Sequence, residues 1–368
     1  MAVKTITTTY IAKKLGISQA TVSNVLNSQH KRRYSPNTQE KVLAAAEELG
    51  YNQSLLLRSI KQPLRHIGYA VGGTTSEVSV FMSDISSGIH RAANEKGYVV
   101  MVSEPTDNLF DVDQLHKEAD ERINRLAKLF LSRLIDGMLI DKSRFADEQI
   151  ELLEKANIPC ILINGRVPDM RSPFDRKMHW VSIDHIKGGY IAIKYLLDKG
   201  HKQIGLINPY FFDYPGGEGK RNSRCIGYEM AIKEVGLAVE AELMQSCFAR
   251  KRETVFLAVD KLLALPKLPT ALFIGSDHVA ALVINYLNQK GIKVPSDISV
   301  IGYGNLSIAS AVFPTLTTID VPWAKMGQFG CEMLIDLLEH DKEDSKGIGS
   351  HVRILEPTVL EGETVKRI

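Results

Sequence analysis

Short apolar runs alternate with longer amphipathic segments along most of this chain. Nine runs lack a period of two and are rich in aliphatic residues: HIGYAV, YVVMVS, GMLI, PCILI, WVSI, QIGLI, TALFIG, SVIGY and TTID. Helical periods occur between and after them, for example at 82–96, 112–132, 187–199, 278–290 and 324–339. Continuous apolar strands separated by helices are typical of parallel sheets covered on both faces. About nine strands over roughly 300 residues predict two doubly wound α/β units.

The N-terminal segment differs from this body in charge. Residues 1–65 contain ten Lys and Arg against three Glu, a net charge of +7, although the whole chain of 368 residues carries only +2. Such an asymmetry is common in nucleic-acid-binding proteins, because each neutralised phosphate releases condensed counterions. A solvated basic surface would give the same count, so charge alone does not decide between the two.

Two short apolar stripes of helical spacing flank Gly16. Their members are Ile11, Ala12 and Leu15 before the glycine, and Val22, Val25 and Leu26 after it. Gly16 permits a tight turn, and Ser18 can cap the second helix. Two short helices joined in this way form a helix-turn-helix.

A third helix is predicted after residue 35. Ser35 can cap it, Pro36 suits its first turn and Gly50 can end it. Its expected buried stripe consists of Val42, Leu43, Ala46 and Leu49. Three small helices can then share one hydrophobic core.

The second helix would expose an uncharged polar row. We predict major-groove contacts for Ser18, Gln19, Ala20, Thr21, Ser23 and Asn24, and phosphate contacts for Thr7, Asn27, Lys31, Arg32 and Arg33. Gln and Asn amides can pair bidentately with adenine, and Lys and Arg can reach phosphates. A helical bundle whose polar face only keeps it soluble is the alternative.

Two runs, IAKKLGISQATVSNVLN and SPNTQEKVLAAAEELGY, resemble the DNA-binding signature of the lactose-repressor (LacI/GalR) family of bacterial transcription regulators. The resemblance implies that the second helix reads the major groove, chiefly through Gln19, Ala20 and Asn24. Family members often carry arginine at the position of Asn24, so a different base preference is expected there.

The run NQSLLLRSI resembles the hinge helix of that family, at about residues 53–61. The resemblance implies that Leu57 and Ile60 enter the minor groove, where an apolar wedge unstacks a base step. Gln53 replaces the usual proline and Leu57 the usual alanine. The domain predicted to bind DNA therefore spans residues 1–62. Packing of the hinge leucines on the body is the alternative.

The body also resembles the family over Ser182–Asn208, Pro269–Asn305 and Pro314–Gly327. This implies a periplasmic-binding-protein-like effector domain of two lobes, with residues 63–184 and 305–321 in the first and 185–304 and 322–368 in the second. The implied cleft residues are Phe81, Asn164, Arg166, Asp184, Arg224, Asp277, Asn305 and Trp323. Carboxylates, amides, arginines and aromatic faces suit a polyol.

Three of the cleft residues also have a purely structural interpretation. Arg224 could be a solvated charge, Phe81 a core residue and Asp277 a helix cap. Gly304-Asn305 replaces an aspartate pair of many sugar-responsive relatives, and the long loop 166–180 is rich in basic residues. A larger or more anionic ligand is therefore an alternative to a sugar. A nucleobase is another, because the purine-binding family member has an arginine near the position of Arg224.

Other classes of protein find little support. The run PGGEGKR lacks the spacer and hydroxyl residue of a phosphate loop, and no Gly-x-Ser-x-Gly or His-Glu-x-x-His is present. We therefore predict neither an enzyme nor a metal or cofactor. Four scattered cysteines and the lack of an apolar leader favour the cytoplasm. A sugar-binding protein without regulatory function would need an export signal and no basic helical unit.

The sequence thus predicts a homodimeric cytoplasmic repressor. Two copies would place two helix-turn-helix units on a pseudo-palindromic operator. A small carbohydrate between the lobes would control its affinity for DNA.

Overall fold

The computed structural model describes residues 8–26, 34–48, 65–71, 79–103, 112–141, 150–151, 153, 155–164, 177–210, 223–249, 251–339 and 351–368. The chain divides into two compact units, Met1–Leu64 and Arg65–Ile368. Three helices make up the described part of the first unit: α1 (Thr8–Leu15), α2 (Gln19–Leu26) and α3 (Pro36–Glu48).

The caps predicted for α2 and α3 are present. Ser18 Oγ accepts a hydrogen bond from the Thr21 amide at 3.0 Å, and Ser35 Oγ accepts one from the Thr38 amide at 3.3 Å. Gly16 has a φ of +66°, a left-handed conformation that glycine adopts without strain. The sequence therefore specifies both helix starts and the turn before α2.

The core of the first unit is built from small and branched side chains. Its buried members are Ile11, Ala12, Val22, Val25, Val42, Ala45 and Ala46. The prediction for Leu43 was wrong, because this side chain is 42% exposed. The buried face of α3 runs through positions 42, 45 and 46, which leaves position 43 about 100° away around the helix. Leu49 and Gly50 lie outside the described residues.

The second unit contains two six-stranded sheets. The strands are β1 (His66–Ala70), β2 (Val99–Ser103), β3 (Gly137–Asp141), β4 (Cys160–Ile163), β5 (His179–Ile183), β6 (Ile204–Tyr210), β7 (Met244–Phe248), β8 (Ala271–Ile274), β9 (Ser299–Gly304), β10 (Thr317–Asp320), β11 (Val352–Leu355) and β12 (Thr358–Leu360). The strand orders are β11-β5-β4-β3-β1-β2 and β12-β10-β9-β8-β6-β7. All described pairs are parallel except β10 with β12. The nine predicted strands are confirmed.

Helices cover these sheets. They are α4 (Ser79–Glu95), α5 (Val112–Leu131), α6 (His185–Asp198), α7 (Ser223–Glu234), α8 (Arg252–Leu263), α9 (Asp277–Gln289), α10 (Ser307–Ala311) and α11 (Trp323–Glu339). The five predicted helices correspond to α4, α5, α6, α9 and α11. The two doubly wound lobes expected from the sequence are therefore present.

The boundaries between the lobes differ from the predicted ones. Strand β10 pairs with β9, so residues 317–320 lie in the second lobe and not in the first. Conversely, α11 packs on α4 and on β3 and β4, and β11 pairs with β5, so both belong to the first lobe. The chain passes between the two sheets after β5, after β10 and between β11 and β12. Strand pairing over long separations, which the pattern of apolar runs does not encode, decides this division.

Glycines bring one pair of helices into backbone contact in each lobe. In the second lobe, a Cβ on Gly227 of α7 would overlap the carbonyl oxygen of Ile186 in α6. In the first lobe, a Cβ on Gly327 of α11 would overlap the carbonyl oxygen of Ile85 in α4. The helices that follow the first two crossings are thus held tightly to their own lobes.

We therefore expect Gly227→Ala to destabilise the protein by about 1–3 kcal/mol, because the added methyl group has no room between α6 and α7. Thermal and urea unfolding measure this loss. Met230→Ala is the control on the same helix, since Met230 is 51% exposed and its truncation should change stability little. Equal stabilities of the two variants would contradict the close contact.

Candidate functional site

The polar row on α2 lies opposite the core of the first unit. Ser18, Gln19 and Ala20 are exposed, whereas Thr21, Ser23 and Asn24 are half-buried. Val22 and Val25 have no exposed surface. The helix therefore presents hydroxyl and amide groups, and no charge of its own, on its outward side.

The two amides of α2 are hydrogen-bonded to neighbouring elements. Gln19 Nε2 donates to Thr8 Oγ1 at 3.1 Å, and Asn24 Nδ2 donates to the Tyr34 hydroxyl at 2.9 Å. Each amide keeps its carbonyl oxygen and a second N–H for another partner. Other residues predicted to contact DNA lie outside the described part of the chain: Thr7, Asn27, Lys31, Arg32, Arg33, Leu57 and Ile60.

A second group of predicted residues lies near the carboxyl ends of the strands in the second unit. In parallel α/β sheets this edge is where ligands bind. Arg224 is in the first turn of α7, and the centre of its guanidinium lies 5.0 Å from the centroid of the Tyr303 ring at the end of β9. Burial lowers the pKa of Arg224, although a guanidinium remains protonated in proteins.

An aromatic cluster adjoins Arg224. The His185 ring nitrogen Nδ1 lies 2.7 Å from the Tyr303 hydroxyl, and Trp323 Nε1 donates to the Gly304 carbonyl at 2.8 Å. The His185 and Trp323 ring centroids are 6.2 Å apart. Burial, and to a lesser extent the charge of Arg224, lower the pKa of His185 to about 3, so this imidazole is neutral at physiological pH.

His185 and Tyr303 were not predicted as site residues. His185 is the first residue of α6, directly after the chain leaves the first sheet, and Tyr303 lies within the apolar run SVIGY. The one sequence signal for Tyr303 is its position near the carboxyl end of the predicted strand SVIGY, where ligands bind in parallel sheets.

Asp277 is fully buried, and its carboxylate is bonded internally. Thr318 Oγ1 donates to Oδ1 at 2.6 Å, and the Leu306 amide donates to Oδ2 at 2.8 Å. Burial raises the pKa of Asp277, the bonds from Thr318 and from backbone amides partly oppose that rise, and the resulting pKa is about 6. The carboxylate thus holds the turn after β9 against β10, a structural role that the sequence analysis considered only as a helix cap.

Three further predicted residues, Asn164, Asp184 and Asn305, lie at strand ends in the two lobes. Asn164 Nδ2 donates to both carboxylate oxygens of the buried Asp141 at 3.2 Å, and Asp141 is a residue that the sequence analysis missed. Asn305 Nδ2 donates to Asp320 Oδ1 at 2.9 Å. Asp184 caps α6 by accepting from the Lys187 amide at 2.8 Å.

The structure describes no side-chain contact for two predicted residues, Phe81 and Arg166. Phe81 lies in the first turn of α4, with its side chain outside the described part, and Arg166 lies outside it altogether. Among the described residues, no cluster of three or more metal-ligating side chains is present. No helix in the described ranges combines the length and apolarity that a membrane span requires.

Models of known protein families match parts of both units. The model of bacterial regulatory proteins of the lacI family matches residues 9–54, and that of a periplasmic binding protein-like domain matches 193–365. The HTH-type transcriptional repressor PurR of Vibrio campbellii is 31% identical over 361 residues, covering 97% of this chain and 98% of the relative. The chain belongs to the LacI family. It is a DNA-binding transcriptional repressor of that family.

A second PurR repressor and two solved structures are also similar to this chain. The PurR repressor of Proteus mirabilis is 31% identical over 352 residues, with 94% of each chain covered. Among solved structures, the transcriptional regulator CelR in complex with cellobiose has a TM-score of 0.65 at 23% identity, covering 98% of this chain and 99% of that one. The lac repressor dimer bound to operator and the anti-inducer ONPF has a TM-score of 0.64 at 22% identity, with 99% and 100% covered. At these identities the two structures support the fold.

The buried carboxylate of Asp277 predicts a pH dependence of stability. Because its pKa is raised to about 6 in the folded state, the folded chain binds more protons than the unfolded chain between about pH 4 and 6. This group therefore makes the free energy of unfolding fall as pH rises through that window. Asp277→Asn removes this contribution to the slope, which urea unfolding from pH 4 to 7 measures.

The same substitution should destabilise the effector-free protein at neutral pH, by about 1–3 kcal/mol, because an amide nitrogen then replaces one of the two carboxylate oxygens that accept from Thr318 and from backbone amides. Asp320→Asn is the control, since Asp320 lies at the end of β10 and its carboxylate accepts an exposed bond from Asn305. A wild-type pH slope in Asp277→Asn would show that Asp277 does not titrate in this window.

Proposed function

We propose that this LacI-family repressor is a homodimer that reads a pseudo-palindromic operator with α2 and responds to a small molecule bound between its lobes. The observation that carries the proposal is the uncharged polar row on α2, which is exposed or half-buried and lies opposite the fully buried Val22 and Val25. An amphipathic helix with hydroxyls and amides on its outer face matches the hydrogen-bonding edges of bases in the major groove.

In this proposal, contacts to bases and to phosphates come from different residues. Ser18, Gln19, Ala20, Thr21, Ser23 and Asn24 face the base edges, and Thr7, Asn27, Lys31, Arg32 and Arg33 neutralise or bond phosphates. Leu57 and Ile60 of the hinge enter the minor groove at the operator centre. Phosphate contacts supply affinity that depends on salt, whereas base contacts supply sequence preference.

The favoured effector is a small carbohydrate. Arg224 and Asn305 offer hydrogen bonds to hydroxyl groups, and Trp323 and Tyr303 offer aromatic faces for a sugar ring. Asn164, Arg166, Asp184 and Phe81 complete the proposed cleft, and Asp277 acts by holding the turn that carries Asn305. Support comes from the cellobiose complex of CelR and from a family regulator of Enterococcus faecium with bound ribose.

A nucleobase or a sugar phosphate is the second candidate. The stacked arrangement of Arg224 and Tyr303, with neutral His185 bonded to the same tyrosine, suits a planar heterocycle with both donors and acceptors. The relatives at about 30% identity over almost the whole chain are PurR repressors, and the sequence resemblance relates Arg224 to an arginine of a purine-binding member.

Association of two copies follows from the geometry of an operator. One helix-turn-helix unit covers a half-site, and a two-fold dimer places two units on successive major grooves. The edge strand β2 exposes Val99, Met101 and Val102, which are 55%, 36% and 40% accessible, and a second copy would bury them. The dimeric lac repressor on its operator supports this arrangement.

Effector binding would be coupled to DNA binding through the lobes. A ligand that touches both lobes binds more tightly to one arrangement of the lobes than to the other. The change in operator affinity cannot exceed this difference in ligand affinity between the two arrangements. A non-regulatory sugar-binding protein would have no use for the three-helix unit, and the proposal assigns no catalytic residue. The proposed site of action is the cytoplasm, where the operator is accessible.

Gln19→Ala should relax the preference at one operator position and lower affinity for the preferred sequence by about 1–3 kcal/mol. Arg32→Ala should instead weaken binding to all duplexes alike and lower the slope of log affinity against log salt concentration by about one. Quantitative binding to duplexes with single base changes, at several salt concentrations, measures both effects. Identical behaviour of the two variants would overturn the assigned roles.

Arg224→Ala should abolish the effector response while leaving operator binding by the effector-free protein intact. Thermal-shift screening of sugars, sugar phosphates and purines first identifies the effector, since a ligand at a hundredfold excess over its Kd stabilises the fold by about 2.7 kcal/mol. The control is Arg252→Ala, because Arg252 stacks on Phe256 at the exposed start of α8. A persistent response in Arg224→Ala would remove this residue from the site.

A further inference from the structure

Tyr34 connects the reading helix to α3. Its side chain packs partly buried against the core of the first unit. Its carbonyl oxygen accepts a hydrogen bond from Gln39 Nε2 at 2.8 Å, and the next residue, Ser35, caps α3. The backbone of Tyr34 is thus anchored at the start of α3, so its ring extends from a fixed position.

The hydroxyl of Tyr34 holds the amide of Asn24. Asn24 Nδ2 donates to it at 2.9 Å, and both side chains are half-buried, so water competes less for this bond than at an exposed site. An amide nitrogen carries two hydrogens. The one pointing away from the amide oxygen can serve Tyr34, which leaves the other hydrogen and Oδ1 side by side.

Together, Asn24 Oδ1 and the second hydrogen on Nδ2 match the major-groove edge of an adenine. Oδ1 can accept from the adenine N6 amino group while the second N–H donates to N7. An unsupported asparagine would lose rotational freedom about two bonds when it made this contact. A side chain already held by Tyr34 has lost much of that freedom before DNA arrives, so less of the contact energy is spent on ordering.

We propose that Tyr34 is a positioning residue for base recognition: its hydroxyl fixes the Asn24 amide in the orientation that reads one operator base pair. The preference at that position then depends on Tyr34 as well as on Asn24. Gln19, which is held by Thr8 and not by Tyr34, reads its own position independently. The inference rests on the proposed role of α2 in the major groove.

A double-mutant cycle on the full-length protein tests this. Asn24→Ala locates the operator position that Asn24 reads, and affinities are then measured for the four duplexes that differ only there. Tyr34→Phe should reduce discrimination among these duplexes roughly 3- to 10-fold, within the range of a bidentate contact. In the Asn24→Ala background, Tyr34→Phe should cause no further loss of discrimination, because the two residues act as one unit.

Two controls separate positioning from folding. Discrimination at the position read by Gln19 should stay unchanged in Tyr34→Phe, whereas a general loosening of the helices would relax both positions together. Leu43→Ala truncates the 42% exposed leucine of α3, the helix that Tyr34 precedes, and should leave discrimination intact at both positions. Thermal unfolding of each variant verifies that the ring packing is retained.

Three outcomes would overturn the inference. Discrimination at the Asn24 position could be unchanged in Tyr34→Phe, the losses of the two single variants could add in the double variant, or all duplexes could weaken equally, as expected of a phosphate contact. An absence of any sequence preference in the wild-type protein would instead overturn the proposed function itself. The two failures are therefore distinguishable.

Discussion

The complete burial of Val22 and Val25 fixes which side of α2 faces outward. A rotation of the helix by one residue, about 100°, would expose a valine and bury a polar group, and each change costs free energy. Gly16, Ser18 and the hydrogen bonds to Thr8 and Tyr34 add local constraints to the same orientation. The polar row is therefore presented by a rigid scaffold, which is the condition for an uncharged helix to discriminate between bases.

In the second unit, the candidate site lies where the chain passes between lobes. His185 follows the first crossing, and Trp323 follows the second; His185 contacts Tyr303, and Trp323 bonds to Gly304, both at the end of β9. Each of these two crossings leads into a helix that glycines hold close to its lobe. In the proposed function, a ligand bound at Arg224 would lie against the segments that adjust when the lobes move, and this would link effector binding directly to domain closure.

Prediction from sequence succeeded where the signal was local. Apolar runs identified nine strands, and cap residues located α2 and α3. Strand β7, MQSCF, has no continuous apolar run, and β11 and β12 owe their places to pairing with distant strands. The predicted lobe boundaries were wrong for the same reason, because they depend on pairing between distant strands. The internal bonding of Asp277 depends on Leu306 and Thr318, 29 and 41 residues away, and no periodic pattern encodes such a contact.

The central claim is that the uncharged face of α2 reads base edges as part of a two-fold dimer. Selection of the purified protein on a randomised duplex library, followed by base-resolved affinities at two salt concentrations, tests it most directly. The account predicts enrichment of a pseudo-palindrome whose inverted half-sites are centred about one helical turn, or a multiple of it, apart. Recovery of no preferred duplex, with sugars, sugar phosphates and purines absent or present, would contradict it.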